Sequence, residues 1–149
     1  METTTDPGTL DLERVFAAPP ERVFDAFTKP EAITGWLGPG ACHLLHAEID
    51  LRVGGGYRFR MQTETVGEVD IVGQYQTVER PHRLAFSWRW EDNPEIRPSD
   101  SVVEIEFTPH PEGTHMRFRH LGLPDGESRD NHGEGWSGSF DKLEKNLSQ

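Results

Sequence analysis

His132-Gly133-Glu134-Gly135-Trp136-Ser137-Gly138-Ser139-Phe140-Asp141-Lys142-Leu143-Glu144-Lys145-Asn146-Leu147 is the stretch whose reading decides the fold. His132, Trp136, Phe140, Leu143 and Leu147 recur at intervals of three or four, so they share one face of an α-helix. Asp141, Lys142, Glu144 and Lys145 occupy the opposite face. Gly133, Gly135 and Gly138 stand where good helix formers are expected, each costing about 1 kcal/mol relative to Ala. Gly133 falls on the inner face, one turn before Trp136. The space its missing side chain leaves serves either a bulky neighbour or a ligand.

Upstream of this helix, back to residue 43, the chain reads as strands. Tyr57, Phe59 and Met61 alternate with Arg58 and Arg60. Leu84, Phe86, Trp88 and Trp90 alternate with Ala85, Ser87 and Arg89. Val103, Ile105 and Phe107 alternate with Glu104 and Glu106, and Met116, Phe118 and His120 with Arg117 and Arg119. This period of two marks half-buried strands. Residues 43–50 predict a further strand before the turn Gly54-Gly55-Gly56. Val66 to Val78 predict a longer one, with Gly67 and Gly73 as bulges or bends. Asp92 to Asp100 and Gly122 to Glu127 read as loops. At the start, Leu10, Leu12, Arg14 and Phe16 open a first strand. Pro20 and Pro30 then suit the first turns of two short helices. The second has Ile33, Trp36 and Leu37 inward and runs into the loop Gly38-Pro39-Gly40. Residues 1–8 read as a frayed terminus and 9–149 as one domain, with no internal repeat. The fold class is therefore α+β, one long helix laid across an antiparallel sheet of about six to seven strands.

Composition narrows the function. A chain of 149 residues buries roughly two-thirds of its unfolded surface, enough for a real core. Asp and Glu number 26 against 15 Lys and Arg, a net charge of −11. Such a surface repels phosphate backbones and anionic lipid, so nucleic acid and membrane are not expected partners. Cys42 is the sole cysteine, which excludes an internal disulfide and a thiolate cluster. No stretch approaches the roughly 18 apolar residues of a membrane span. Met1 to Gly8 lack the basic and apolar regions of a signal peptide, and a cytoplasmic location is expected.

Several segments together carry a family resemblance. They are Ala17-Ala18-Pro19-Pro20-Glu21-Arg22-Val23-Phe24-Asp25-Ala26-Phe27, Pro30-Glu31, Trp36-Leu37-Gly38-Pro39, Gly54-Gly55-Gly56-Tyr57-Arg58-Phe59, Gly73-Gln74-Tyr75, Pro81-His82-Arg83-Leu84-Ala85-Phe86-Ser87-Trp88 and Gly135-Trp136. In this order, over residues 10–147, the chain resembles the helix-grip superfamily of START and birch-pollen-allergen-like proteins (the SRPBCC, or START/Bet v-like, group). Within it, the chain is most similar to the branch of the C-terminal domain of the activator of the heat-shock-protein-90 ATPase. The resemblance implies a curved sheet gripping the long helix and a hydrophobic ligand between them. It does not fix one activity, because a shared fold hosts many functions.

The ligand-binding candidates are Trp36, Phe59, Met61, Phe86, Trp88, Phe118, His120, His132, Trp136 and Phe140. Trp136, Phe140 and His132 are expected on the helix wall, and Phe59, Met61, Phe86, Trp88, Phe118 and His120 on the sheet wall. Trp36 and the loop Gly38-Pro39-Gly40 are expected at the mouth. Each aromatic taken singly is equally at home in a filled core. Tryptophan rings would stack on a flat ring system. His120 and His132 could orient a polar group of the ligand or act as general acid or base. They could equally be satisfied histidines at the rim. No metal spacing appears, because His43 and His46 are three apart in a strand and fall on opposite faces. No cofactor is called for.

The leading expectation is binding of a small hydrophobic, aromatic or lipid-like molecule rather than catalysis. One alternative is a polyketide cyclase or aromatase using His120 or His132. Another is a chaperone-linked interaction module using the acidic surface. A homodimer through a sheet edge also fits this architecture.

Overall fold

The computed structural model describes residues 8–64, 67–91 and 101–147. The elements run β1 (Leu10–Phe16), α1 (Pro20–Thr28), α2 (Pro30–Ile33), β2 (His43–Ile49), β3 (Gly56–Gln62), β4 (Glu68–Glu79), β5 (Arg83–Glu91), β6 (Ser101–His110), β7 (Gly113–Leu121) and α3 (Gly126–Leu147). All seven strands form one antiparallel sheet in the order β1-β7-β6-β5-β4-β3-β2. Each strand from β2 to β7 pairs with its sequence neighbour, and β1 closes on β7 with Leu12 opposite Phe118. Bulges between Leu44 and His46, and between Tyr75 and Thr77, add the local twist that curves a sheet. This is the expected helix-grip architecture.

Alternation decides what the helix meets. Phe59, Met61, Ile71, Phe86, Trp88, Ile105, Phe107, Met116 and Phe118 are buried on the inner face. Trp136, Phe140, Leu143 and Leu147 oppose them from α3. Val23, Phe24 and Phe27 of α1 close the core at β6, with the Phe24 and Phe107 rings 5.8 Å apart. Prolines begin both short helices, as their fixed φ predicts.

Several local expectations change. Residues 1–7 of the terminus expected to fray lie outside the described residues. Gly8 is buried, and its carbonyl accepts the Leu123 amide at 3.0 Å. Val66 and the loop Asp92 to Asp100 also lie outside the described residues. Gly67 lies in the connection before β4, with φ +78°. Gly73 stays in register opposite Tyr57, because a Cβ there would overlap the Ser87 carbonyl of β5. The β2 bulge leaves both His43 and His46 exposed rather than on opposite faces. α3 starts earlier than expected, at Gly126. The Asp125 carboxylate accepts the Ser128 amide at 2.8 Å, an N-cap that begins the helix inside the expected loop.

On the outer face, arginines and acids of neighbouring strands form a lattice of ion pairs. Asp70 takes Arg58 at 2.6 Å and Arg60 at 3.1 Å. Asp11 lies 3.6–3.7 Å from Arg119 and Arg117. Glu104 is 3.9 Å from Arg119. Such exposed pairs contribute about 0–1 kcal/mol each.

Candidate functional site

The glycines of α3 divide its first half into packed and open parts. A Cβ at Gly133 would lie 3.2 Å from the Leu10 side chain of β1, and one at Gly138 would lie 2.8 Å from Pro39. These two glycines admit bulky neighbours. Gly135 differs. A Cβ there would touch only Pro39, at 3.8 Å, and the residue borders a cavity of about 420 Å³. That volume lies within the range of sites for small organic molecules.

The cavity sits at one end of the core, where the first turns of α3 lean over the ends of β3 and β5. Met61 and Thr63 line it from the β3 side, Trp88 and Trp90 from β5, and Leu37, Pro39 and Cys42 from the segment after α2. The helix contributes Glu127, Ser128, Asn131, His132, Gly135, Trp136 and Ser139. Glu127 and Asn131 are exposed, so they mark the mouth, while Trp88 and Trp136 are buried deep in the wall. The Trp88 and Trp136 ring centroids are 4.8 Å apart, and Trp90 stands nearly perpendicular to Trp88 at 5.8 Å. Ser139 ties the neighbouring loop to the helix by accepting the Gly38 amide at 2.9 Å. Lys142 donates to the Cys42 carbonyl at 2.9 Å.

Two hydrogen-bonded histidines brace this wall. The Trp136 indole N–H donates to His120 Nδ1 at 3.1 Å. His120 Nε2 therefore carries the proton and donates to Ser101 Oγ at 2.8 Å. Ser101 in turn donates to the Trp88 carbonyl at 2.9 Å. The Trp90 indole N–H donates to His132 Nε2 at 3.0 Å, and His132 Nδ1 donates to the Ser128 carbonyl at 2.8 Å. The two imidazoles meet at 5.1 Å between centroids. Burial lowers the pKa of His120 to about 3, with the nearby His132 as a second cause. Burial also lowers that of His132, partly offset by its bond to Ser128.

Both rings are therefore neutral, and each basic lone pair is occupied by an indole N–H. A general base needs a free lone pair within reach of substrate, and neither histidine offers one here. His120 is fully buried beneath Trp88 and Trp136 rather than at a rim, and His132 has both ring nitrogens bonded, to Trp90 and Ser128. Both act as hydrogen-bonded supports for the tryptophans.

Of the ten expected site residues, Met61, Trp88, His132 and Trp136 line the cavity. The other six do not. Phe59, Phe86, Phe118 and Phe140 fill the core between helix and sheet. His120 lies behind the wall. Trp36 is not a gate. It is 2% exposed, packs on Phe27 at 4.7 Å, and its indole N–H donates to the Ala26 carbonyl at 2.9 Å. Pro39, from the expected gate loop, does border the cavity.

Sequence reasoning passed over Trp90, although it alternates with Trp88 on the same strand face. It also passed over Ser128, Asn131 and Ser139, which with His132 and Gly135 make a helical stripe along the cavity. The spacing of that stripe is the signal that could have found the helix wall. Among the described residues, no group of three or more His, Cys, Asp or Glu side chains is disposed to hold a metal ion. No helix among them is long and apolar enough to cross a membrane.

Residues 17–148 match the family model described as activator of Hsp90 ATPase homolog 1-like protein. No curated protein matches the chain. Among solved structures, protein CV1439 of Chromobacterium violaceum is 31% identical. It aligns over 97% of this chain and 99% of its own, with a TM-score of 0.85. The AHSA1 protein of Silicibacter pomeroyi is 29% identical over 94% of this chain and 97% of its own, with a TM-score of 0.82. A protein of Rhizobium leguminosarum is 30% identical over 94% and 93%, with a TM-score of 0.78. With nearly its whole length matched in sequence and in fold, the chain belongs to the family of activator of Hsp90 ATPase homolog 1-like proteins.

Proposed function

We propose that this protein binds a small hydrophobic molecule, aromatic or lipid-like, in the cavity beside the first half of α3, and that it does so in the cytoplasm. The observation that carries this reading is the wall itself. Trp88, Trp90, Trp136 and Met61 border an open volume of about 420 Å³ in a core that elsewhere fills its space with aromatic rings. Burying apolar ligand area against them is favourable by about 25 cal/mol per Å² before the costs of association. Pre-formed walls keep those costs low, and the two histidine bridges hold the indoles in place. No cofactor enters this reading.

Native mass spectrometry of freshly purified protein tests it. A mass that drops to the chain mass on denaturation, releasing an apolar molecule, is the expected result. A bare chain that also fails to brighten N-phenyl-1-naphthylamine, a neutral apolar fluorophore, would contradict it.

The family's description favours a second reading, a chaperone-linked interaction module. The net charge of −11 supports docking on a basic surface. That reading expects a salt-sensitive complex with a chaperone of the Hsp90 class that survives blockage of the cavity. β1 and β2 are the outer strands of the sheet and are the edges a homodimer would use.

A further inference from the structure

One polar atom of a residue that lines the cavity stands apart. Trp88 is 3% exposed, and its indole Nε1–H has no hydrogen-bond partner among the described residues. A buried donor left unsatisfied carries its full desolvation cost. The groups around it cannot relieve that cost. Phe86, Trp90, His120 and Trp136 are the rings packed on Trp88. Trp90 and Trp136 bring only indole donors, already given to His132 and His120. His120 offers no spare acceptor, since Nδ1 receives Trp136 and Nε2 bonds Ser101. By contrast, every other tryptophan indole in the protein has its acceptor.

The ionic character of the cavity is equally plain. Its only charged lining residue among those described is Glu127, at the mouth. The nearby Lys142 ammonium is held on the Cys42 carbonyl and does not line the cavity. An anionic ligand would be desolvated here without a counter-charge.

We propose that the cavity takes an uncharged aromatic molecule bearing a carbonyl-type acceptor. The ring lies among Trp88, Trp90 and Trp136, and the oxygen receives the Trp88 indole N–H. This rests on the ligand-binding reading above and narrows it to a chemical class. An acceptor supplied by the ligand satisfies the one tryptophan donor that the described residues leave open. A neutral carbonyl does so without bringing a negative charge past Glu127.

Three nearly isosteric probes separate the terms: 2-acetylnaphthalene, 2-isopropenylnaphthalene and 2-naphthoate. They share the ring and differ at one position, as ketone, alkene and carboxylate. In calorimetric titrations of the full chain, the ketone is expected to bind about fivefold tighter than the alkene, the range of one neutral hydrogen bond. It should also bind about tenfold tighter than the carboxylate, whose charge finds no partner. Trp88→Phe keeps an aromatic ring and removes the donor, so the ketone-to-alkene ratio should fall to about one.

The ratio in the unaltered protein stands without that variant, should Trp88→Phe fold poorly. A second readout is the Trp88 indole N–H resonance, which should move downfield with the ketone and not with the alkene. Equal binding of ketone and alkene, or a carboxylate that binds as tightly as the ketone, would overturn the inference and leave the ligand-binding reading intact. If all three and N-phenyl-1-naphthylamine fail to bind, the ligand-binding reading itself falls.

Discussion

Phe140→Ala is expected to lower folding stability by about 3–5 kcal/mol, the range for emptying a fully packed aromatic site. Phe140 is 1% exposed and stands where the elements converge. Its ring meets Phe118 of β7 at 5.2 Å, Trp136 of α3 at 5.8 Å, Phe27 of α1 at 6.3 Å, Trp36 at 6.3 Å and Phe16 of β1 at 6.4 Å. The Arg14 guanidinium covers the ring at 5.7 Å. These neighbours belong to separate elements that are themselves packed in place, so little collapse into the vacated volume is expected. In urea, with a slope of about 2 kcal/mol per molar, the midpoint should fall by about 2 M. Leu45→Ala is the natural contrast. Leu45 is 46% exposed beside the β2 bulge, and its loss should change stability by less than about 0.5 kcal/mol. Equal effects from the two substitutions would mean that α3 is not gripped as described.

Stability should also fall steeply in mild acid, through the histidines behind the tryptophan wall. The pKa of His120 is about 3 in the folded protein against 6.5 as the ordinary value. Between those two pH values the unfolded chain binds a proton that the folded chain refuses. Unfolding therefore takes up protons, and stability rises with pH across this window. The contribution is fully present above about pH 6.5 and is lost progressively as pH falls toward 3. A full proton of difference gives a slope of about 1.4 kcal/mol per pH unit, so His120 should account for about 2 kcal/mol between pH 7 and 5. His132, whose pKa is also lowered by burial, acts in the same direction.

His120→Gln tests the assignment. Glutamine has one acceptor for the Trp136 indole and one donor for Ser101, but it cannot titrate. The variant should lose about one proton of uptake, measured as a shallower fall of the urea midpoint between pH 7 and 5. An unchanged slope would place the titration elsewhere.

The fold was legible in the sequence because its signals are periodic. The spacing from Trp136 to Leu147 and the alternation around Phe59, Phe86, Phe107 and Phe118 each report a face. Two faces that must be buried imply a helix on a sheet. The cavity was only half legible for the same reason. Alternation says that Phe59 and Trp88 both point inward, but not that Phe59 meets other rings while Trp88 borders a void. That depends on where each residue lies along α3, and on the fact that its first half is built from glycine and small polar residues. His120 and His132 were legible as inward-facing. Their indole partners were not, because the bonds Trp136–His120 and Trp90–His132 join residues 16 and 42 positions apart. Trp36 misled for a related reason. The glycine and proline that follow it mark a mobile-looking loop, but its indole N–H is fixed by the Ala26 carbonyl of α1.

The central claim is that the space beside Gly135 is a binding site and not merely imperfect packing. Truncating a wall tryptophan tests it poorly, since the same rings also support the core. Filling the space tests it directly. Gly135→Leu places a side chain where a Cβ meets only Pro39, at 3.8 Å. It also replaces a helix-interior glycine with a better helix former, a gain of up to about 1 kcal/mol. Titration of N-phenyl-1-naphthylamine into the two proteins, with their melting temperatures, is the decisive measurement. Binding in the unaltered chain, weakened at least about tenfold in Gly135→Leu with an equal or higher melting temperature, is the predicted result. A fluorophore that binds Gly135→Leu as tightly as the unaltered chain would contradict the assignment of this cavity as the site.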